Sequence, residues 1–232
     1  MFSIIIATKN EEHYIGRTLR LLRKILKGLT YEIIIVDSST DKTFKIAVKL
    51  ADKTYRFLGG VSKARNFGAK VAYGDILVFM DADSIPSKEV FLETQRILKK
   101  NIVAAVSYVL PYTHVGVLGR IFYTLDSAYI KLSGKLPPLL KLYNRGDFIA
   151  VKKEYFFKVG GFPESFHVAE ITDLINRLLH LGRVAVLKSP VYESARRFKK
   201  WGFIKNHLVW LPHYVSYFLR QKPINIKYEE VR

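Results

Sequence analysis

Cysteine is absent from the 232 residues, which excludes disulfides, zinc–thiolate centres and a cysteine nucleophile and suits a reducing compartment. Acidic residues are few: 20 Asp and Glu stand against 38 Lys and Arg, a formal net charge of +18. That excess predicts attraction to polyanions such as phosphorylated substrates, an anionic membrane or nucleic acid. Long apolar runs are also missing, for none approaches the roughly 18 residues of a spanning helix. The opening segment MFSIIIATKN carries neither a basic leader nor a small-residue cleavage site. A cytoplasmic address is therefore expected, with contact at the cytosolic membrane face as a possible extension. Glycine is lacking after the first strand-like run, where AlaThrLysAsnGlu stands. This disfavours a nicotinamide dehydrogenase, which needs Gly-x-Gly-x-x-Gly there, and a sugar-phosphate nucleotidyltransferase, which resembles its relatives by a Gly-rich, Arg-containing loop. Aromatic platforms and a groove-reading helix are not recognisable, so nucleic acid is not expected as a partner.

What is present alternates between strand-like and helix-like patterns. Ser3 to Thr8 reads as a strand, 14–26 as an amphipathic helix, Glu32 to Asp37 as a strand and 41–50 as a short helix. A strand near 54–57, a helix over 62–72 and a strand ending at Asp81 follow. Repeated β-α-β of this kind predicts a mostly parallel sheet with flanking helices in one α/β domain. Three strands end in polar residues, Thr8-Lys9-Asn10-Glu11, Asp37-Ser38-Ser39 and Asp81-Ala82-Asp83, and such ends should converge on one crevice. If the chain stays extended through Asp81-Ala82-Asp83, both carboxylates point to one side. Hard oxygen donors that close suit Mg or Mn, which also bridge phosphates; the plainer alternative is an acidic strand exit.

Beyond residue 100 the pattern predicts a strand over 103–109 and a helix over 115–132 with Leu118, Ile121, Leu125, Ala128 and Leu132 aligned. A strand over 148–151, a short helix over 153–159, the turn Gly160-Gly161-Phe162-Pro163 and a helix over 171–181 come next. From Arg183 to Arg232 there are eleven Lys or Arg against three Asp or Glu. Within that stretch Trp201, Ile204, Leu208, Leu211, Val215 and Phe218 recur at helical spacing, and Pro212 is expected to kink or split the helix. The segment reads as a helix packed on the domain, as an interfacial helix on an anionic membrane, or as a lid through Arg196 and Arg197. His207 and His213 are isolated and read as surface or packing residues. Tyr112, His114 and Tyr143 are candidates for an acceptor pocket.

In order, Thr-Lys-Asn-Glu, Val-Asp-Ser-Ser, Ala-Arg-Asn-Phe-Gly-Ala, Asp-Ala-Asp and Gly-Gly-Phe followed by an acidic helix start resemble the family-2 glycosyltransferases of the GT-A fold, over about residues 1–190. The resemblance implies a single GT-A domain over 1–195, with a nucleotide-sugar-binding half at 1–100 and an acceptor half at 101–195. Residues 196–232 would be a helical extension. It further implies that Thr8, Asn10, Glu11, Asp37, Arg65 and Asp81 bind the nucleotide, and that Asp81 and Asp83 hold Mn or Mg. The implied reaction is inverting transfer from a nucleotide-diphosphate-sugar donor to a sugar, a lipid-linked acceptor or a polyprenyl phosphate. Family members carry Glu-Asp-x-Asp-Leu after Gly-Gly-Phe, whereas this chain reads Glu170-Ile171-Thr172-Asp173-Leu174. Isoleucine cannot accept a proton. Either Glu170, which is preferred, or Asp173 then serves as base, or an anionic acceptor needs none. A nucleotide-sugar binder without transferase activity is the alternative that Ile171 motivates.

Overall fold

The computed structural model describes residues 1–99, 101–143, 145–166 and 168–220. Its first half runs β1 (Phe2–Thr8), α1 (Ile15–Ile25), β2 (Tyr31–Asp37), α2 (Thr43–Leu50), β3 (Lys53–Arg56), α3 (Val61–Lys70), β4 (Ile76–Phe79), β5 (Ile85–Pro86) and α4 (Lys88–Ile97). The second half runs β6 (Ile102–Val106), β7 (Val109–Pro111), α5 (Val117–Ser133), a 3-10 turn (Pro137–Leu142), β8 (Ile149–Lys152), α6 (Lys153–Lys158), α7 (Glu170–Leu179), β9 (Arg183–Val186), β10 (Val191–Glu193) and α8 (Arg196–Arg220).

Seven strands form the main sheet in the order β3-β2-β1-β4-β8-β6-β9. Only β8 is reversed, pairing antiparallel with β4 and β6. The isoleucine-rich β1 and β2 are buried on both faces, as a parallel sheet covered by helices requires. One face packs against Ala64 and Ala69 of α3 and Leu174 and Leu178 of α7. The other packs against Leu19 and Leu22 of α1 and Val90 and Phe91 of α4. Gly68 of α3 has no room for a side chain, since a Cβ there would lie 2.5 Å from Ile5.

The structure differs from, or adds to, the sequence pattern at four places. The run at 103–109 is two strands: β6 belongs to the main sheet, and β7 joins a separate three-stranded sheet of order β5-β10-β7. Ser107 marks the change, its hydroxyl bonding the carbonyl of Ser189 at 2.8 Å instead of continuing the ladder. The aligned residues of α5 face outward, because Tyr123, Ser127 and Ile130 form its buried side. The break in α8 falls at Gly202, whose φ of 70° is open to glycine, while Pro212 stays inside the helix. Strands β9 and β10 have no counterpart in the sequence pattern. Among the described residues no helix is long and apolar enough to cross a membrane.

Candidate active site

Parallel register sets the first part of the site. Thr8 at the end of β1 lies beside Asp37 at the end of β2, and Asp37 beside Arg56 at the end of β3. The Asp37 carboxylate is fully buried and accepts bonds from Thr8 Oγ1 (2.7 Å), Ser39 Oγ (2.5 Å) and Arg56 Nη1 (2.7 Å). Turn capping is thus observed at Asp37, whose covered carboxylate reaches the strand edge only through Thr8 and Arg56. Arg56 is half exposed and lies 4.1 Å over the Phe44 ring; it is the cation at this end, and only strand register, not spacing in the sequence, reveals it. Asn10 takes a left-handed conformation (φ 56°), and its side-chain oxygen accepts the Thr40 backbone N–H at 2.9 Å.

The acidic pair is arranged differently from an extended tripeptide. The Ser84 N–H donates to the Asp81 carbonyl at 3.2 Å, so the chain turns through Ala82 and Asp83. Thr18 of α1 fixes that turn by donating to the Ala82 carbonyl at 2.6 Å. Asp81 remains partly exposed, whereas Asp83 is buried. Each has its own arginine. Arg65 Nη2 meets Asp81 at 2.9 Å, and Arg196 Nε meets Asp83 at 3.2 Å. Arg196 also grips both oxygens of the buried Glu11, at 2.6 and 2.7 Å, and stacks 4.6 Å over Tyr14. Burial pushes the Asp83 carboxyl up to about 7, and Asp81, Glu11 and Glu193 add to the shift against the opposing pull of Arg196.

Arg65 links this pair to the start of α7. Its Nη1 donates to Glu170 at 3.0 Å, so Asp81, Arg65 and Glu170 form one chain of charges. Burial, with help from Asp81, raises the Glu170 carboxyl above its ordinary range although Arg65 resists. Ala169, the residue before it, is left-handed (φ 64°), which costs a non-glycine residue roughly 1–2 kcal/mol. Strained backbone thus sits at Asn10 and Ala169, both at this crevice. Asp173 faces elsewhere: it is paired with Arg177 at 2.5 Å and accepts from Tyr217 at 3.4 Å. Ile171 is core.

The Gly-Gly-Phe turn is tied to α3 by Asn66, a residue the sequence reading passed over. Asn66 Nδ2 donates to the Phe162 carbonyl at 2.9 Å, and its Oδ1 accepts the Phe162 N–H at 2.8 Å. These bonds explain why Ala-Arg-Asn and Gly-Gly-Phe belong together: one residue aims Arg65, the next anchors the turn leading to Glu170. Asn66→Ala is expected to lower unfolding free energy by about 1–3 kcal/mol, since two buried backbone groups lose partners; denaturant titration measures it.

A buried ionic cluster walls the far side. Arg145 pairs with Glu193 at 2.7 Å, with Asp126 at 3.6 Å and with Asp147 at 3.8 Å, while Tyr123 donates to Glu193 at 2.6 Å. Ser84 donates to Asp147 at 3.0 Å, coupling the cluster to the acidic turn. A Cβ on Gly146 would lie 3.2 Å from Arg65 and 3.5 Å from Asp81, so this loop reaches the crevice because it has no side chain there. Of the acceptor candidates, Tyr143 is core, donating to the Ser107 carbonyl at 2.8 Å. Tyr112 stands over Arg17 at 4.9 Å, and His114 is exposed. The side chains of Arg197, Ile204, His207, His213 and Phe218 lie outside the described residues, as does the end of the extension, 221–232.

Chemically the crevice offers paired hard oxygens, two guanidinium groups within reach of an anion and a buried carboxylate of raised basicity. Asp81 and Asp83 supply the donors that a divalent cation prefers. Among the described residues no three His, Asp or Glu groups are gathered to hold a metal; Arg65 pairs with Asp81 and Arg196 with Asp83. Asp83 and Glu11, both buried, share the Arg196 guanidinium, and two carboxylates beside one guanidinium are chemically suited to a cation.

Comparisons with known proteins bear on the family and the fold. The family described as "Glycosyl transferase family 2" matches residues 3–162. Poly(ribitol-phosphate) beta-N-acetylglucosaminyltransferase TarS of Staphylococcus aureus is 35% identical over 97 residues, covering 38% of this chain and 17% of the relative. The dolichol-phosphate mannosyltransferase of Pyrococcus furiosus is 38% identical over 88 residues, covering 35% of this chain and 25% of the relative. The solved mannosyltransferase PcManGT of Pyrobaculum calidifontis, in complex with GDP-Man and Mn2+, superposes with a TM-score of 0.70 at 20% identity over 95% of this chain and 63% of that one. That likeness shows the GT-A fold. The chain spans a quarter or less of the two sequence relatives and under two thirds of the structural one.

Proposed function

This chain belongs to glycosyl transferase family 2, and we propose that it transfers a sugar, with inversion, from a nucleotide-diphosphate donor to a hydroxyl- or phosphate-bearing acceptor. The reading rests above all on one observation: Glu11, Asp83, Asp81 and Glu170 meet in one crevice, bridged by Arg196 and Arg65. In this reading residues 1–100 hold the donor, 101–195 form the acceptor side, and α8 closes over the crevice through Arg196.

Thr8, Asn10, Glu11 and Asp37 line the nucleoside end, with Asp37 acting through Thr8 and Arg56. Asp81 and Asp83 hold Mn or Mg, as the Mn2+ in the mannosyltransferase complex supports. A cation held by these two carboxylates would supply neutralisation of the charge on the departing diphosphate. Arg65, between Asp81 and Glu170, is placed to donate to a diphosphate oxygen. Glu170 takes the proton of an acceptor hydroxyl while that oxygen bonds to the anomeric carbon and the diphosphate leaves from the opposite side. Asp173, held by Arg177, keeps the helix start in place. An acceptor phosphate attacks without a base; the names of both sequence relatives specify phosphate-bearing molecules, and the net charge of +18 suits such an acceptor.

Arg196 holds Glu11 and Asp83, the oxygens for which a cation would compete, and a diphosphate would offer the guanidinium another anion. Arg196→Gln is expected to tighten Mn2+ binding about tenfold without nucleotide, since charged hydrogen bonds are released, and to weaken nucleotide-diphosphate binding. Calorimetric titration reads both effects, and unchanged Mn2+ affinity would remove Arg196 from this role. The test of function is a thermal-shift screen of nucleotide-sugars with and without Mn2+, because a native-state ligand raises stability. A Mn2+-dependent shift with a nucleotide-diphosphate sugar is expected. Indifference to every nucleotide, with salt-sensitive binding of any nucleic acid, would overturn the reading.

A further inference from the structure

Helix α5 is amphipathic with its polarity reversed. Its buried side is made of Gly119, Tyr123, Ser127, Ile130 and Ser133, and the hydroxyls there find partners: Tyr123 donates to Glu193 at 2.6 Å, Ser127 to the Val109 carbonyl at 3.3 Å and Ser133 to the Ile130 carbonyl at 2.7 Å. Its aliphatic stripe faces out. Leu118, Ile121, Leu125 and Leu132 are 60%, 50%, 65% and 48% exposed, at spacings that align them along one side of a helix. The 3-10 turn that follows continues the pattern with exposed Leu136 before it and Leu142 at its end.

Charge distinguishes the possible occupants. Arg120, Lys135 and Lys141 are exposed along this stretch. The sole acidic residue between 117 and 142, Asp126, is turned inward to Arg145 at 3.6 Å. A second copy of the chain would oppose these cations with the same cations, on a molecule already carrying +18. An anionic bilayer supplies the missing negative charge and a fluid apolar layer that needs no matching shape.

We propose that the outer face of α5 and its following turn is a docking surface for an anionic lipid bilayer, with the leucine stripe inserted at the interface and the three cations at headgroup level. The sequence pattern had suggested such a role for the C-terminal helix; the geometry points to α5. The inward side of the same helix carries Tyr123 and Asp126, which brace the cluster behind Gly146 and Asp81. Docking would therefore set the acceptor wall of the crevice beside the membrane, and resting on the transferase reading, this favours an acceptor carried by a lipid.

The experiment is flotation of the full chain with vesicles of phosphatidylcholine alone or mixed with phosphatidylglycerol, alongside a Leu118→Ser/Leu125→Ser variant. Wild type is expected to float with mixed vesicles at least tenfold more tightly than with neutral ones. The variant is expected to lose at least tenfold while keeping its melting temperature and its nucleotide binding. Absence of flotation, or flotation that the serines leave unchanged, would overturn the proposal. So would a dimer in light scattering that the same serines dissolve. Vesicle binding without any nucleotide binding would instead sink the transferase reading and leave this one standing.

Discussion

Asp83→Asn is expected to lower metal-dependent transfer by about 10³-fold or more, as loss of a group that fixes charge on the leaving diphosphate does. It is also expected to raise the melting temperature of the ligand-free protein. Asp83 is buried with a carboxyl pushed up to about 7, first by burial and then by neighbouring carboxylates. An acid whose folded value lies above its unfolded one costs stability when ionised. That cost is present in full above about pH 7 and fades as pH falls toward 4, about where an unperturbed aspartate titrates. The amide removes it, and Arg196 keeps its two bonds to Glu11. The gain should be on the order of a few kcal/mol at pH 8 and negligible near pH 4. Calorimetric melting of both proteins over that range measures it; a variant that is less stable at pH 8 would mean that Asp83 is a structural partner of Arg196 rather than a site kept for a cation.

Glu170→Gln is expected to reduce turnover on a hydroxyl acceptor by about 10²–10⁴-fold, the usual contribution of a positioned base, with donor affinity little changed. The glutamine still accepts from Arg65, so the chain from Asp81 through Arg65 stays connected. Asp173→Asn should do the reverse, disturbing the Arg177 pair that also reaches the Val159 and Gly161 carbonyls, and so lowering stability more than turnover. Single-turnover kinetics with the two variants separates these roles. Equal turnover of Glu170→Gln and wild type on a hydroxyl acceptor would take the base away from Glu170, whereas equality only on a phosphate acceptor would identify an acceptor that needs no base.

The first half of the fold was readable because its physics is local. Unbroken β-branched runs such as those of β1 and β2, alternating with helix patterns, suit a covered parallel sheet, and a parallel sheet delivers the ends of its strands to one edge. The placement of Thr8, Glu11, Asp37, Asp81 and Asp83 at that edge follows from this, whereas their roles rest on the family resemblance. What stayed hidden is set by contacts between distant segments. Nothing near Arg196 in the sequence announces a bond to Glu11, 185 residues away. Arg56 is assigned only by the register of β3 on β2. Periodicity found α5 but not its orientation, since a repeat shows that a helix has two faces and not which one the core receives. Here the core takes serines and a tyrosine because Glu193 and backbone carbonyls accept their hydrogens. The condition of an extended acidic tripeptide is not met for a similar reason: the bond from Thr18 to Ala82 that fixes the turn comes from another element.

The most direct measurement is anomalous diffraction from crystals grown with Mn2+ and a nucleoside diphosphate. A manganese peak coordinated by the Asp83 carboxylate and the diphosphate, with Arg196 withdrawn from Glu11, is the predicted result. A nucleotide bound elsewhere on the molecule, or manganese absent from the acidic turn while Arg196 still holds Glu11 and Asp83, would contradict it.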